Sequence, residues 1–298
     1  MPEKSLHIII LNWNGEKVIG ECLDSLKKLS YSNYKITVVD NASEDSSPEM
    51  VRERFPEVEL IENEENLLFA GGNNIGLRKA LDGDGELFLL LNNDTEVHPD
   101  FASEMAAVLE REDAGVAGPR IYYYDDPERI WYGGGRFYPV IGVPRHHQIR
   151  KLDTGETRPR ETGYVTGCAM MVRREVFREI GLLDMSYRMY CEDVDFSLRA
   201  RGAGWKCWYV PASRVWHKVS SSSGGGFTPY KLKNRMVSTA RLFKRHKPLW
   251  WRIALAPVHA LLLVIVLIGL IFTGKWELFR AAARGMTRAL KVGYFMTR

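Results

Sequence analysis

"LFLLLNNDTEVHPD", residues 87–100, decides how this chain folds. Its first five residues are apolar without a break, the pattern of a strand buried on both faces, since a strand with one wet face would alternate. The run stops abruptly at Asn92, Asn93 and Asp94. Working outward, "LHIIIL" (6–11), "KITVVD" (35–40) and "VELIE" (58–62) repeat the apolar theme. Helical patterns follow the four strands at about 16–29, 46–54, 73–81 and 99–111. Strands alternating with helices predict an α/β fold, a mostly parallel central sheet covered on both faces. Ligands of such sheets gather at the carboxyl ends of the strands. Four stretches stand there: "NWNG" (12–15), "DNASEDS" (40–46), "ENLLFAGGNN" (65–74) and "NNDTE" (92–96).

Each stretch has a chemical and a plainer reading. Asp40 ends its strand where it can accept from a nucleotide's base or ribose, with Asn41 and Ser43 shaping the turn; Asp, Asn and Ser are also ordinary turn residues. "FAGGNNIG" (69–76) opens a helix with glycines whose N–H groups can approach a diphosphate, or it makes a tight strand-to-helix turn. It matches neither a dinucleotide fingerprint nor a P-loop. Asn92, Asn93 and Asp94 offer the oxygen ligands that Mg²⁺ or Mn²⁺ takes, or a cap for the next helix. His217 in "SRVWHKV" can complete a metal site or serve structurally.

Charge divides the chain. From Lys231 onward there are 14 Lys/Arg against one acid, Glu277, leaving 27 basic and 36 acidic residues before it. An acidic body that attracts metal, joined to a tail that seeks anions, is the expectation. The four cysteines (22, 168, 191 and 207) form no CxxC pair, which fits a reducing compartment rather than a disulfide framework or zinc site. The N-terminal apolar run is too short for a signal peptide. Residues 120–160 read as a long excursion, 164–172 as a resumed buried strand, and "SSSSGGG" (220–226) as a flexible loop expected to close over a ligand. A basic helix (229–247) and the apolar run 253–272 follow. Twenty apolar residues suffice to span a bilayer, but both flanks are basic and Pro257 and His259 interrupt the first third. A re-entrant or interfacial helix is therefore favoured over a span, with Trp250, Trp251 and Trp276 at headgroup depth.

"YCEDVDFSLRARGAGW" (190–205) crowds Glu192, Asp193 and Asp195 ahead of a helix. Acids favour a helix N-terminus, yet three exceed what a cap needs. With "LNWNG", "VVDNASEDSS", "NLLFAGGNNIG", "LLLNNDTEVHPDF", "GCAMMVRREVF" and "YVPASRVWH", this series resembles family 2 glycosyltransferases over about residues 6–220. Bacterial rhamnosyltransferase-like and galactofuranosyltransferase-like members are the most similar. The resemblance implies a GT-A fold, with a Rossmann-like nucleotide-binding half and an acceptor half. It implies a nucleotide-sugar site at Asn12, Asn14, Asp40, Asn41, Ser43, Asn66, Gly71, Gly72, Asn73 and Asn93. Asp94 matches the last acid of the family's DxD metal motif, and His217 a histidine that can ligate the metal. Asn92 stands where many relatives carry the first Asp of that motif. Asp193 matches the catalytic base, with Glu192 supporting it or orienting the acceptor and Asp195 capping the helix of 195–201.

The expectation is a metal-dependent inverting glycosyltransferase. It would use Mg²⁺ or Mn²⁺ and a UDP- or dTDP-linked sugar, rhamnose or a related hexose, to extend a polyprenyl-phosphate-linked saccharide of a cell-surface polymer such as O-antigen. Residues 1–228 would form the catalytic domain and 229–298 a membrane-association region at the cytoplasmic face of the bacterial inner membrane, with a homo-oligomer allowed and no nucleic-acid partner. The rival readings are a nucleotidyltransferase acting on sugar phosphates and an inert nucleotide-binding membrane scaffold. The absence of a "GxGTRL"-like loop speaks against the first, and the retained Asp193 against the second.

Overall fold

A computed structural model describes residues 3–219 and 228–291, so the "SSSSGGG" loop lies outside the described residues. Four strands, β1 (Leu6–Asn12), β2 (Tyr34–Asp40), β3 (Glu59–Glu62) and β4 (Leu87–Asn92), build the first half of the sheet. They lie parallel in the order β3-β2-β1-β4, connected by α1 (Ile19–Leu26), α2 (Ser47–Arg54) and α3 (Leu68–Asp82). Ile8, Ile9, Ile10, Leu89 and Leu90 are buried between the helical layers, as unbroken apolar strands require.

β4 turns sharply into β5 (Thr95–Val97), because Thr95 Oγ1 donates to the Asn92 carbonyl at 2.7 Å. Then come α4 (Phe101–Val108), β6 (Ala114–Tyr123), β7 (Ile130–Tyr132), β8 (Gly135–Tyr138), β9 (Val143–His146) and β10 (Arg160–Thr162). The expected excursion thus contains short strands, with β8 and β9 forming a separate hairpin. β11 (Ala169–Arg173), α5 (Arg174–Ile180), α6 (Glu192–Gly202) and β12 (Lys206–His217) complete the second half. β11 runs antiparallel to both β4 and β6, so the parallel character belongs to the first half and to the β6–β12 pair. β12 is one strand with an irregularity between Val210 and Arg214.

α1 starts three residues later than predicted, since Asn14 takes a left-handed φ of 49° that holds "NWNG" as a turn. α3 starts five residues earlier. The glycine-rich run therefore lies inside the helix rather than before it. A Cβ at Gly72 would meet Leu11 Cδ1 at 2.3 Å, and one at Gly76 would meet Ile9 Cγ2 and Val39 Cγ2 at 2.7 and 2.9 Å. Gly72 and Gly76 lie four apart, on the helix face that presses against β1 and β2.

Three helices end the described chain: α7 (Pro229–His246), α8 (Leu249–Phe272) and α9 (Trp276–Lys291). Leu242 and Phe243 of α7 are buried in the main core. The 24 residues of α8 are long and apolar enough to cross a membrane, and Ile253, Leu261, Ile265 and Phe272 are exposed. Its first third is nevertheless docked, with Arg252 buried and His259 Nε2 3.1 Å from the carbonyls of Pro139 and Val140 in the β8–β9 turn. Gly274 (φ 67°) reverses the chain, and α9 returns to α7, where a Cβ on Gly285 would meet Met236.

Gly76→Ala should lower stability by about 1–3 kcal/mol, because the facing methyls are β-branched and cannot swing aside. Gly202→Ala, with nothing within 4 Å of its would-be Cβ, should stay within about 0.5 kcal/mol of wild type or gain slightly. Urea unfolding of the two variants checks the pair.

Candidate active site

The carboxyl ends of the parallel strands are joined by one buried amide. Asn12 Nδ2 donates to Asp40 Oδ1 at 2.8 Å and to Ser47 Oγ at 2.8 Å, while its Oδ1 accepts from Asn93 Nδ2 at 2.8 Å. A side chain at the end of the central strand thereby fixes the ends of β2 and β4. Asp40 is held further by Ser43, whose hydroxyl donates to Oδ1 at 2.6 Å and whose N–H donates to Oδ2 at 2.9 Å. Asn14 completes the turn, its N–H donating to Ser43 Oγ and its Oδ1 accepting from the Glu44 N–H. Asn41 Nδ2 donates to Asn66 Oδ1 at 2.9 Å, and Asn66 Oδ1 also accepts from the Leu68 N–H that opens α3.

Asn12, Asn14, Asp40, Asn41, Ser43, Asn66 and Asn93 thus share one polar wall. Gly72 borders it, its would-be Cβ 3.1 Å from Asn41 Oδ1, whereas Gly71 faces Leu67 and Met185. Asn73 is buried and turned back into its own helix, donating to the Phe69 carbonyl at 2.9 Å. "FAGGNN" thus forms the first turns of α3 instead of a loop before it, and Gly72 lets that helix pack closely on β1.

A second group forms where β4, β5 and β12 meet. Pairing of His217 with Thr95 across the β5–β12 ladder sets the His217 Nε2 3.1 Å from Asp94 Oδ1, both side chains buried. Burial, the largest influence on His217, lowers its pKa; the adjacent Cys168 and the Asp94 carboxylate outweigh it and raise the value to about 10. Cys168 is itself pushed up, first by its burial, which keeps it a neutral thiol near pH 7, so the charge facing His217 is that of Asp94. A carboxylate and an imidazole facing each other fit a divalent cation, which would take the place of the shared proton. Among the described residues no three His, Cys, Asp or Glu side chains gather as a metal cluster, so the remaining ligands would be neutral oxygens, phosphate and water. Among the described residues no hydrogen bond ties the Asn92 side chain, and its carbonyl serves the β4–β5 turn.

The third group opens α6. Asp193 is half-buried, and each of its oxygens accepts a backbone N–H: Oδ2 from Gly167 at 2.9 Å, Oδ1 from Val194 at 2.8 Å. Glu192 is buried, and its Oε2 has no hydrogen-bond partner among the described residues. Burial raises both pKa values; for Glu192 the neighbouring Asp193 charge adds to it, taking it to about 8. The backbone donors favour the ionised form of Asp193, so the proton retained by the pair at neutral pH belongs on Glu192. The turn Thr166–Gly167–Cys168 connects the groups, with Gly167 on Asp193 and the Cys168 carbonyl accepting from the Asn92 N–H at 2.9 Å. Sequence reasoning missed this turn by extending the strand back to 164. The only warning was Gly167, which a continuous buried strand would not need.

Asp195 is not a cap. It is fully buried and accepts from Arg199 Nε at 2.8 Å, His246 Nε2 at 2.8 Å and Tyr187 OH at 3.3 Å, with Arg245 Nε also 3.3 Å away. Burial, the largest influence, works to raise its pKa; the His246 and Arg199 partners reverse the sign and hold it below the usual carboxylate range. Its partners on α7 lie 50 and 51 residues away along the chain. No spacing rule could have found them.

A hollow of about 870 Å³ lies elsewhere, at the amino ends of β1 and β2 beside His7, Lys35 and Glu59. It contains none of the strand-end residues and carries no chemistry of this kind.

A central sheet with nucleotide-type strand ends, an Asp–His pair and a paired-acid helix define a sugar-nucleotide transferase of the GT-A class. The chain belongs to glycosyl transferase family 2, whose family model matches residues 7–181. It is a glycosyltransferase. It is 26% identical over 272 residues to the N-acetylglucosaminyl-diphospho-decaprenol L-rhamnosyltransferase of Mycobacterium tuberculosis, covering 83% of this chain and 86% of the relative. The fold matches that of the mannosyltransferase PcManGT from Pyrobaculum calidifontis, solved with GDP-Man and Mn²⁺, at a TM-score of 0.61 and 16% identity. That match covers 98% of this chain and 88% of the other. GalNAc-T7, solved with UDP, GalNAc and Mn²⁺, matches at a TM-score of 0.63 and 21% identity over 80% of this chain but 47% of its own length.

Glu192 supplies a pH test. Between its ordinary value of 4.5 and about 8, the folded protein keeps a proton that the unfolded chain releases, so stability should fall as pH rises through this window. Glu192→Gln should flatten that fall and be more stable than wild type near pH 8, by on the order of a few kcal/mol. Thermal melts from pH 5 to 9 read the difference. Parallel curves for the two proteins would place the proton elsewhere.

Proposed function

We propose that this protein is an inverting transferase that moves a hexose, rhamnose or a relative, from a UDP- or dTDP-sugar to a polyprenyl-diphosphate-linked saccharide. One observation carries the reading: a carboxylate, Asp193, set by two backbone N–H groups beside a strand-end wall suited to a nucleotide. Asp40, Asn41, Ser43 and Asn66 would bind the nucleoside, and Asn12, Asn14 and Asn93 would hold that wall in register. Asp193 would take the proton of the acceptor hydroxyl as that oxygen bonds to the anomeric carbon. The bond from that carbon to the diphosphate oxygen breaks, and the nucleoside diphosphate leaves with the electron pair. A single displacement inverts the anomeric configuration. Glu192, kept protonated, would place no second negative charge on the incoming hydroxyl. A Mg²⁺ or Mn²⁺ ion held by Asp94 and His217, with Asn92 as a neutral oxygen ligand, would supply positive charge against the leaving diphosphate.

The relative's decaprenol-linked substrate supports a lipid acceptor, and the C-terminal helices support a membrane. We infer that residues 1–228 are the catalytic domain and 229–298 the membrane-association region, fastened through α7. Residues 260–272 of α8 extend beyond the docked part, 13 residues or about 20 Å of helix, against the ~30 Å of a hydrocarbon core. With α9 folding back to α7, this favours a re-entrant hairpin entering from the cytoplasmic face, where nucleotide-sugars are found.

Asp193→Asn should retain nucleotide binding and lose about two to four orders of magnitude in turnover. Transfer at near wild-type rate by this variant would remove Asp193 from the mechanism. Asp94→Ala should weaken Mn²⁺-dependent nucleoside diphosphate binding at least tenfold, and His217→Ala by less. Calorimetry giving unchanged affinity for both would dismiss the metal reading.

A further inference from the structure

α7, α8, α9 and the β8–β9 hairpin enclose a cavity of about 440 Å³, within the ~300–1,000 Å³ range of small-molecule sites. Its walls are almost wholly apolar, with Met236 and Phe243 from α7, Ala256 and Leu263 from α8, and Met286 from α9. Arg235 is the one arginine or lysine among its lining residues. Its guanidinium is exposed, has no ion pair among the described residues, and lies 5.8 Å from the centre of the Tyr190 ring. Thr239, also in the wall, meets Cys191 Sγ at 3.9 Å. Tyr190 and Cys191 directly precede the acid pair Glu192 and Asp193. On its other side the cavity is walled by α8, the helix with the exposed apolar face.

A cavity apolar along its length, cationic at one mouth and adjacent to the acids suits an amphiphile with an anionic head. The geometry points to a binding site for the isoprenoid diphosphate portion of the acceptor, the first isoprene units in the cavity and the diphosphate against Arg235. This inference rests on the lipid-acceptor reading given above. It adds the place where the lipid enters. The apolar chain reaches the cavity from the hydrocarbon around α8, and the head is drawn to a guanidinium that no carboxylate neutralises. The sugar beyond the diphosphate then lies toward Asp193. The apolar wall supplies affinity that a saccharide alone would lack, since each buried CH₂ contributes about 0.8 kcal/mol.

Photo-crosslinking of the full-length protein in nonionic detergent with a benzophenone-bearing geranyl diphosphate tests the site, because methionines trap this probe well. The expected label falls on Met236 or Met286, is displaced by farnesyl diphosphate, and persists with inorganic diphosphate. Ala256→Trp and, separately, Leu263→Trp fill the cavity and should abolish the label while UDP and dTDP still shift the melting temperature, which shows that the variants fold. Arg235→Ala should weaken competition by farnesyl diphosphate at least tenfold and leave competition by farnesol unchanged. Label that survives both cavity-filling variants, or that inorganic diphosphate displaces, overturns the proposal. Sugar transfer to a water-soluble acceptor, measured in parallel, separates the two readings. Transfer without cavity label leaves the glycosyltransferase reading standing and removes this site. Label with no transfer from any nucleotide-sugar does the reverse.

Discussion

The geometry of the acid pair depends on a neighbouring carboxylate that cannot reach water. Asp195 is wholly buried one turn into α6, and a charge placed there without partners would be prohibitively unfavourable. Arg199 from its own helix and His246 and Arg245 from α7 surround it. The arrangement does more than neutralise a charge. Arg199 also donates to the carbonyls of Ile180 and Leu182, and Arg245 pairs with Asp184, so the segment between α5 and α6 is bound into the same knot. Glu192 and Asp193 sit at the end of that segment. Their position is therefore set by α7, the helix that also walls the proposed lipid cavity. The acid pair and the C-terminal helices are mechanically one unit.

The donor side follows a different logic. There the fixed points are neutral amides rather than ions: Asn12 between Asp40 and Asn93, and Asn41 between Asn66 and the Leu68 carbonyl. Amides can both donate and accept, so a single side chain can join two strand ends. A lysine in place of Asn12 could neutralise Asp40 but would have nothing to accept from Asn93. Parallel strands with continuous apolar sequence bring these ends to one level, which is why such different loops converge on one wall.

That wall was legible in the sequence because its residues follow directly after their strands. Asn12, Asp40, Asn93 and Asp94 needed only correct strand ends, and unbroken apolar runs mark those well. His217 was legible as a candidate, while its partner depended on the β5–β12 pairing, a contact across more than a hundred residues. The glycine-rich run was ambiguous for a physical reason. Glycine serves a loop that must approach phosphate and a helix that must approach a sheet, and only the Leu11, Ile9 and Val39 side chains facing Gly72 and Gly76 distinguish the two uses. Asp195 misled, since an acid near the start of a helix satisfies the capping pattern whether or not it turns inward. The reversal of β11, which makes the second half mixed, has no local signature. Its "AMMVR" would pair in either direction.

The apolar C-terminal run shows how far composition and structure constrain each other. Length alone allows a span. What weighs against one is not Pro257 itself but the company it keeps: Arg252 buried before it and His259 bonded to the β8–β9 turn after it, which tie the first eleven residues of α8 to the protein. The shorter remainder leads into α9, whose Ala281 and Ala282 are buried and whose Gly285 sits against Met236. Small residues on that face let α9 approach α7 closely. A close return brings α9 and its basic residues back beside the basic helix α7. A basic helix pair of this kind would suit anionic headgroups.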